Sequence, residues 1–177
     1  MINFKRLSIP DLLLIEPQVF NDERGFFFES FNQKEFENAI NRKVTFVQDN
    51  HSLSLKGVLR GLHYQKAPYE QAKLIRVIRG EVWDVAVDIR KNSVSYGSWV
   101  GVKLSSDNKR QLWIPEGFAH GFYVISEFAE LVYKVNQYYS KDHEEIIHWR
   151  NNNFSIDWKL INNIVYLSKK DNKDEKY

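Results

Sequence analysis

Apolar residues in this chain recur at every second position over short runs, and turn-forming residues separate the runs. In residues 81–89, Trp83, Val85, Val87 and Ile89 fall on one face and Val82, Asp84, Ala86 and Asp88 on the other, which is the period of a β-strand. Comparable runs predict strands over 44–48, 74–78, 96–104, 111–114, 121–125 and 131–138. Arg79-Gly80, Lys91-Asn92-Ser93, Ser105-Ser106-Asp107-Asn108 and Pro115-Glu116-Gly117 supply turns between them. Residues 24–29 read as a plain edge strand. Helical spacing is confined to 32–40, where Phe36 and Ile40 stand four apart, with a turn near Ile156. Many short strands with frequent turns predict a mainly β sandwich or barrel, not alternating βαβ units. No linker or repeat divides the chain, so residues 1–177 read as one domain with a polar tail from 169 to 177.

Composition narrows the function classes. The chain has 177 residues, enough for one substantial core, with 43% hydrophobic, 15% aromatic and 27% charged residues. A formal charge of +2, without long Lys/Arg runs, argues against nucleic-acid binding. No stretch approaches the roughly 18 apolar residues that a membrane span needs. The N-terminal residues do not read as a secretory signal, so the cytoplasm is the expected compartment. With no cysteine, disulfides and thiolate metal sites are excluded.

Candidate chemistry gathers in Gly57-Val58-Leu59-Arg60-Gly61-Leu62-His63-Tyr64-Gln65. A lone histidine on an apolar strand is ordinarily a packed residue. Here Arg60 stands three residues before His63, and Gly61 allows a bulge that turns both side chains toward one cavity. Lys73 shares a face with Ile75 and Val77, and Asp84 with Val82 and Ala86; charges in such positions need partners. His120 lies with Phe118, Phe122 and Val124. Tyr133, with Leu131 and Val135, would alone be a core tyrosine, but opposite a histidine base a phenol can donate a proton. Arg60, Arg24 and Lys73 together predict a cavity mouth suited to a diphosphate. The spacing Pro115-x-Gly117-x-x-His120 resembles the second signature of the cupin barrel, a double-sheet jelly roll. His63-Tyr64-Gln65 lacks the second histidine of the first cupin signature, and five histidines in all make a metal site hard to assemble.

Taken together, the ordered blocks Asp22 to Glu29, Phe46 to Ser52, Val58 to Gln65, Gly80 to Asp88, Gln111 to Phe122 and Leu167 to Asp171 closely resemble the dTDP-4-dehydrorhamnose 3,5-epimerases of bacterial rhamnose synthesis. The resemblance runs from about residue 9 to 171. It implies a cupin-like β-barrel and a cofactor-free isomerase acting on a dTDP-linked 4-keto-6-deoxy sugar. It implies His63 as base, held by Asp171, Tyr133 as acid on the opposite face of the sugar, and Lys73 beside the developing enolate. His120 would lie near the sugar with Asp84 as its partner. Gln48, Asn50 and Arg60 would contact the nucleotide, Tyr139 would pack on the base, and Ser168 and Lys170 would also touch substrate. The resemblance further implies a homodimer in which N-terminal strands within about residues 1–50 are exchanged, so that the neighbouring subunit offers Arg24, Phe27 and Glu29. The chain departs from the resemblance in ending six residues after Asp171, in lacking a glycine within His143 to Trp149, and in carrying Asn151-Asn152-Asn153.

The chemistry implied is consistent with these groups. A C4 ketone acidifies the hydrogens on C3 and C5, and an imidazole, which ordinarily titrates near ~6.5, can take one at neutral pH. No Gly-x-Gly-x-x-Gly fingerprint of nicotinamide binding occurs. Three alternatives remain open at this level: an epimerase of C3 or C5 alone, or a ketoisomerase, on a related nucleotide sugar; a metal-dependent cupin oxygenase; and a non-catalytic sugar-binding barrel.

Overall fold

The period-two runs fold as strands of two facing antiparallel sheets in the computed structural model, which describes residues 2–172. Among them, in chain order, are β1 (Asn3–Arg6), β2 (Leu13–Glu16), β3 (Val19–Asp22), β4 (Gly25–Phe28), the helix α1 (Gln33–Ile40), β5 (Gln48–Leu55), β6 (Leu59–Gln65), β7 (Lys73–Arg79), β8 (Glu81–Asp88), β9 (Trp99–Ser105), β10 (Gln111–Ile114), β11 (Phe118–Val124), β12 (Phe128–Val135) and β13 (Glu144–Ile146). One sheet runs β1-β2-β10-β7-β12-β5 and the other β13-β6-β11-β8-β9, while β3 and β4 pair only with each other. This is the mainly β barrel expected from the sequence.

Alternation decides which residues meet between the sheets. Ile75, Val77, Leu112, Ile114 and Leu131 of the first sheet pack against Val82, Ala86, Phe118, Phe122 and Val124 of the second. The opposite face of β8 and β11 is also buried. There Val85, Val87, Ala119 and Tyr123 are covered by the C-terminal segment through Trp149, Ile156, Trp158, Leu160 and Leu167. That second cover explains why β11 is buried at all seven positions. The turn expected near Ile156 belongs to this irregular cover, with turn geometry at 152–154 and no helix.

The outer face of the first sheet is closed by α1. Asn32 caps the helix by accepting a hydrogen bond from the Glu35 N–H at 3.1 Å, an interaction worth about 1 kcal/mol. Phe36, 1% exposed, meets Trp113 edge-on with ring centroids 5.1 Å apart. Val44 and Phe46 join this same cluster. Their alternation therefore reflects packing beneath α1, and the strand predicted over 44–48 begins only at Gln48. The predicted runs 96–104 and 131–138 are likewise displaced, to Trp99–Ser105 and Phe128–Val135. The residues Leu12 to Ile15 show no alternation because Leu14 enters the inner core and Leu13 and Ile15 the outer one. Of the polar tail, residues 173–177 lie outside the described residues.

Candidate active site

A bulge in β6 creates the site. His120 pairs with His63 and Phe122 with Arg60, so Gly61 and Leu62 together oppose the single Gly121. Residues three apart on a regular strand point to opposite faces. The extra residue puts Arg60 and His63 on the wall of one hollow of about 410 Å³. Gly61 makes this possible: its φ is +120°, and a Cβ there would lie 2.6 Å from Gly121 Cα and 2.7 Å from the His120 carbonyl oxygen.

The tail reaches back to the same strand. Tyr166 donates its N–H to the Gly57 carbonyl at 2.8 Å and accepts from the Leu59 N–H at 3.0 Å. This seats Asp171, 3% exposed, beside His63. His63 Nε2 and Asp171 Oδ1 are 2.5 Å apart. With Asp171 ionised, Nε2 carries the proton and donates, which leaves Nδ1 as the basic nitrogen. Burial pushes the Asp171 carboxyl up. The His63 hydrogen bond and charge, then the Ser168 hydroxyl and Lys170, outweigh that and hold it below its usual range. Ser168, expected to touch substrate, donates its hydroxyl to Asp171 Oδ2 at 2.9 Å and accepts the Asp171 N–H at 3.0 Å.

The facing sheet supplies Tyr133 and Lys73. Tyr133 on β12 lines a cavity of about 110 Å³ together with His63, Lys73, Tyr139 and Glu144. Burial pushes the Tyr133 phenol above its ordinary pKa, so it is protonated at neutral pH. Lys73 is 8% exposed and donates to the His63 carbonyl at 3.3 Å. Burial lowers its pKa to about 8, against the opposing pull of Asp84 and Glu144. The expected partnership of His120 and Asp84 is present, with Nε2 2.9 Å from Oδ1 and Asp84 fully buried. Burial pushes His120 down despite Asp84.

Glu144 was not anticipated. It accepts from the Tyr139 hydroxyl at 2.6 Å and from the Lys170 ammonium, so it ties the tail to the wall carrying Tyr139. Burial raises its carboxyl, but the hydrogen bonds from Lys170 and Tyr139 prevail and hold it below its ordinary pKa. A three-residue strand shows no period, so pattern gave no signal for it.

The remaining expected residues divide into two groups. Arg60 stays at the rim, donating to Ser54 Oγ at 2.9 Å, and Gln48 donates to Asn50 Oδ1 at 2.8 Å. Arg24, Phe27 and Glu29 lie elsewhere. Arg24 pairs with Asp22 on the β3–β4 ribbon, Phe27 is 71% exposed, and Glu29 accepts from Asn32 at 3.1 Å. The diphosphate mouth of Arg60, Arg24 and Lys73 is therefore not assembled within one chain, because Lys73 is interior and Arg24 sits on a separate ribbon. Among the described residues, no group of three or more His, Cys, Asp or Glu side chains is arranged to hold a metal ion. Nor, among the described residues, is any helix long and apolar enough to cross a membrane.

Comparison with known proteins places this chain among relatives of one description. The family model described as dTDP-4-dehydrorhamnose 3,5-epimerase matches residues 6–177. A dTDP-4-dehydrorhamnose 3,5-epimerase of Shigella flexneri is 61% identical over 176 residues, covering 99% of this chain and 96% of that protein. The protein of the same name from Salmonella typhimurium is 59% identical over 166 residues, covering 94% and 90%. A crystal structure of a dTDP-6-deoxy-D-glucose-3,5-epimerase from Legionella pneumophila, in complex with dTDP-4-keto-L-rhamnose, superposes with a TM-score of 0.93 at 52% identity, over 97% of this chain and 90% of that one. The chain belongs to the dTDP-4-dehydrorhamnose 3,5-epimerase family.

Proposed function

We propose that this protein inverts C3 and C5 of dTDP-4-dehydro-6-deoxy-D-glucose, giving dTDP-4-dehydro-L-rhamnose, by proton transfer alone. The observation that carries the reading is one cavity lined by His63 from β6 and Tyr133 from β12, on opposed sheets, with Lys73 between the walls. His63 Nδ1 removes a proton beside the C4 ketone, and Asp171 steadies the imidazolium. Charge moves onto the ketone oxygen, where the Lys73 ammonium stabilises it; a fixed partner of that kind is typically worth roughly 3–4 kcal/mol. Tyr133 returns a proton from the opposite side, which inverts the carbon. His120 and Asp84 border this charge cluster, Arg60, Gln48 and Asn50 hold the nucleotide, and Tyr139 packs on its base. Glu144 and Lys170 complete the wall over the sugar.

A second copy of the chain fits the unassembled residues. Among the described residues, the β3–β4 ribbon pairs with no other strand, and it exposes Phe20 (54%), Phe26 (58%) and Phe27 (71%), an apolar surface that a partner would cover. Arg24, Phe27 and Glu29 then belong to the neighbour's site. Sedimentation should read a two-chain mass; full activity at single-chain mass would remove them from the reaction.

Proton NMR of dTDP-4-dehydro-6-deoxy-D-glucose with the enzyme in heavy water tests the reaction. Deuterium should enter C3 and C5 with both centres inverted, at a rate unaffected by EDTA. Exchange at one carbon only would make the protein a single epimerase, and chelator sensitivity would place a metal in the reaction.

Lys73 also sets a pH limit. Its protonated form is needed, and with a pKa of about 8 it is lost as pH rises through that value. The profile of kcat/KM, which reports the free enzyme, should therefore fall above about pH 8. Arginine stays charged throughout this range, so Lys73→Arg should lack that limb on a lower plateau. The same limb in the variant would assign it to another group.

A further inference from the structure

We infer that Gln65 is a positioning residue that aims the Tyr139 ring at the nucleobase; this deepens the proposed function and rests on Tyr139 packing against the base. Gln65 ends β6, two residues after His63, and is 5% exposed on the wall of the cavity that contains His63, Tyr133 and Tyr139. Its carboxamide is used from both ends. Nε2 donates to the Tyr69 carbonyl at 2.5 Å and the Tyr138 carbonyl at 3.2 Å, while Oε1 accepts the Ser140 N–H at 2.7 Å. The residues on either side of Tyr139 are thus fastened to one side chain. Between them, the Tyr139 N–H donates to Gln48 Oε1 at 3.1 Å.

The arrangement is a clamp between sheets. Residues 138–140 follow β12 and lie outside any strand ladder, so their backbone groups need other partners. Gln48 comes from the first sheet and Gln65 from the second. Nearby, the Gln71 amide donates to the Gln137 carbonyl at 2.8 Å, and Asn136 Oδ1 accepts the Ala72 N–H at 2.7 Å, which fixes the start of the loop but not the part that carries the ring. Tyr139 is itself 53% exposed, so packing restrains it little. Its direction follows from the backbone it hangs from and from one hydroxyl contact, to Glu144. Any change in how Gln65 holds 138–140 moves the segment that carries the Tyr139 ring.

The test is a double-mutant cycle read by dTDP affinity. Gln65→Glu keeps shape and the acceptor for Ser140 but turns an oxygen toward the carbonyls of Tyr69 and Tyr138. A buried hydrogen bond replaced by such a conflict should weaken dTDP binding, and raise KM for the sugar nucleotide, by about tenfold or more, with kcat within about threefold. Tyr139→Ala should cost similar affinity, and adding Gln65→Glu to it should cost nothing further, since the ring being aimed is gone. Acidification should partly restore affinity in Gln65→Glu, because a protonated carboxyl regains one donor. Gln65→Met, of similar volume and uncharged, goes through the same cycle if the glutamate variant does not fold. Additive losses, wild-type dTDP affinity in a folded Gln65 variant, parallel loss of kcat, or failure of both variants to fold would overturn the inference. Failure of the unmodified protein to bind dTDP would sink the nucleotide-sugar reading instead.

Discussion

His63→Ala protein should fold and bind dTDP, yet incorporate no solvent deuterium at C3 or C5 of the keto sugar. Removal of a positioned general base typically lowers a rate by roughly 100- to 10,000-fold. The upper end is expected here, since the proposed mechanism draws both inversions on the same imidazole; a 10,000-fold loss corresponds to about 5.4 kcal/mol in the barrier. The substitution also strips Asp171 of its principal partner. That carboxylate is 3% exposed, keeps the Ser168 hydroxyl at 2.9 Å, and sits on a tail already bonded at Tyr166. Local loosening of the tail is therefore the expected structural effect, with the two-sheet core intact by circular dichroism. Retained exchange would identify a different base. His120 is the nearest rival, but its Nε2 is bound to Asp84, and burial pushes its basicity down.

How much of this was visible in the chain depends on the range over which each signal acts. The Arg60-Gly61-His63 spacing announced a bulge because a glycine's freedom to take a positive φ, here +120°, is a local property. The buried charges Lys73 and Asp84 were equally legible, since strand alternation assigns a face from neighbours alone. Alternation misled over 44–48, where Val44 and Phe46 pack beneath α1 without a ladder. It was silent at Leu12 to Ile15, where both faces are buried.

Contacts set by chain return could not be read from local pattern. His63 and Asp171 are 108 residues apart, and only the resemblance to a family paired them. Glu144 lies on a strand too short to show a period, and Gln65 was given no role beyond closing the run 57–65. Both matter because they join distant pieces of the barrel mouth, which is a property of the closed fold. Ser168 is a further case of contact set by the closed fold. Its substrate contact came from the resemblance alone, whereas the fold shows its hydroxyl engaged with the carboxylate beside His63. Arg24, which the resemblance gives to the neighbouring subunit's site, lies outside this chain's own cavity, since the β3–β4 ribbon pairs with neither barrel sheet.

Tyr133→Phe should separate proton removal from inversion. The substitution deletes one oxygen and leaves the ring's packing against the inner core, so stability should change little. His63, Asp171 and Lys73 remain, and the enolate should still form. The proton captured by His63 can escape, because that side chain is 30% exposed, and deuterium can return from the same nitrogen to the same face. Exchange should then persist within about tenfold of the unmodified enzyme while epimerised product falls by roughly 100- to 10,000-fold. The raised pKa of the phenol makes this contrast sharper. A phenol held protonated by burial is a poor base but an available acid, so its loss should bear on the second proton transfer and not the first. Proton NMR in heavy water reads both quantities from one sample. Equal loss of exchange and product would remove Tyr133 from the acid's role. Loss confined to one carbon would mean that the other is protonated from elsewhere in the cavity, with the Lys73 ammonium the donor to examine next.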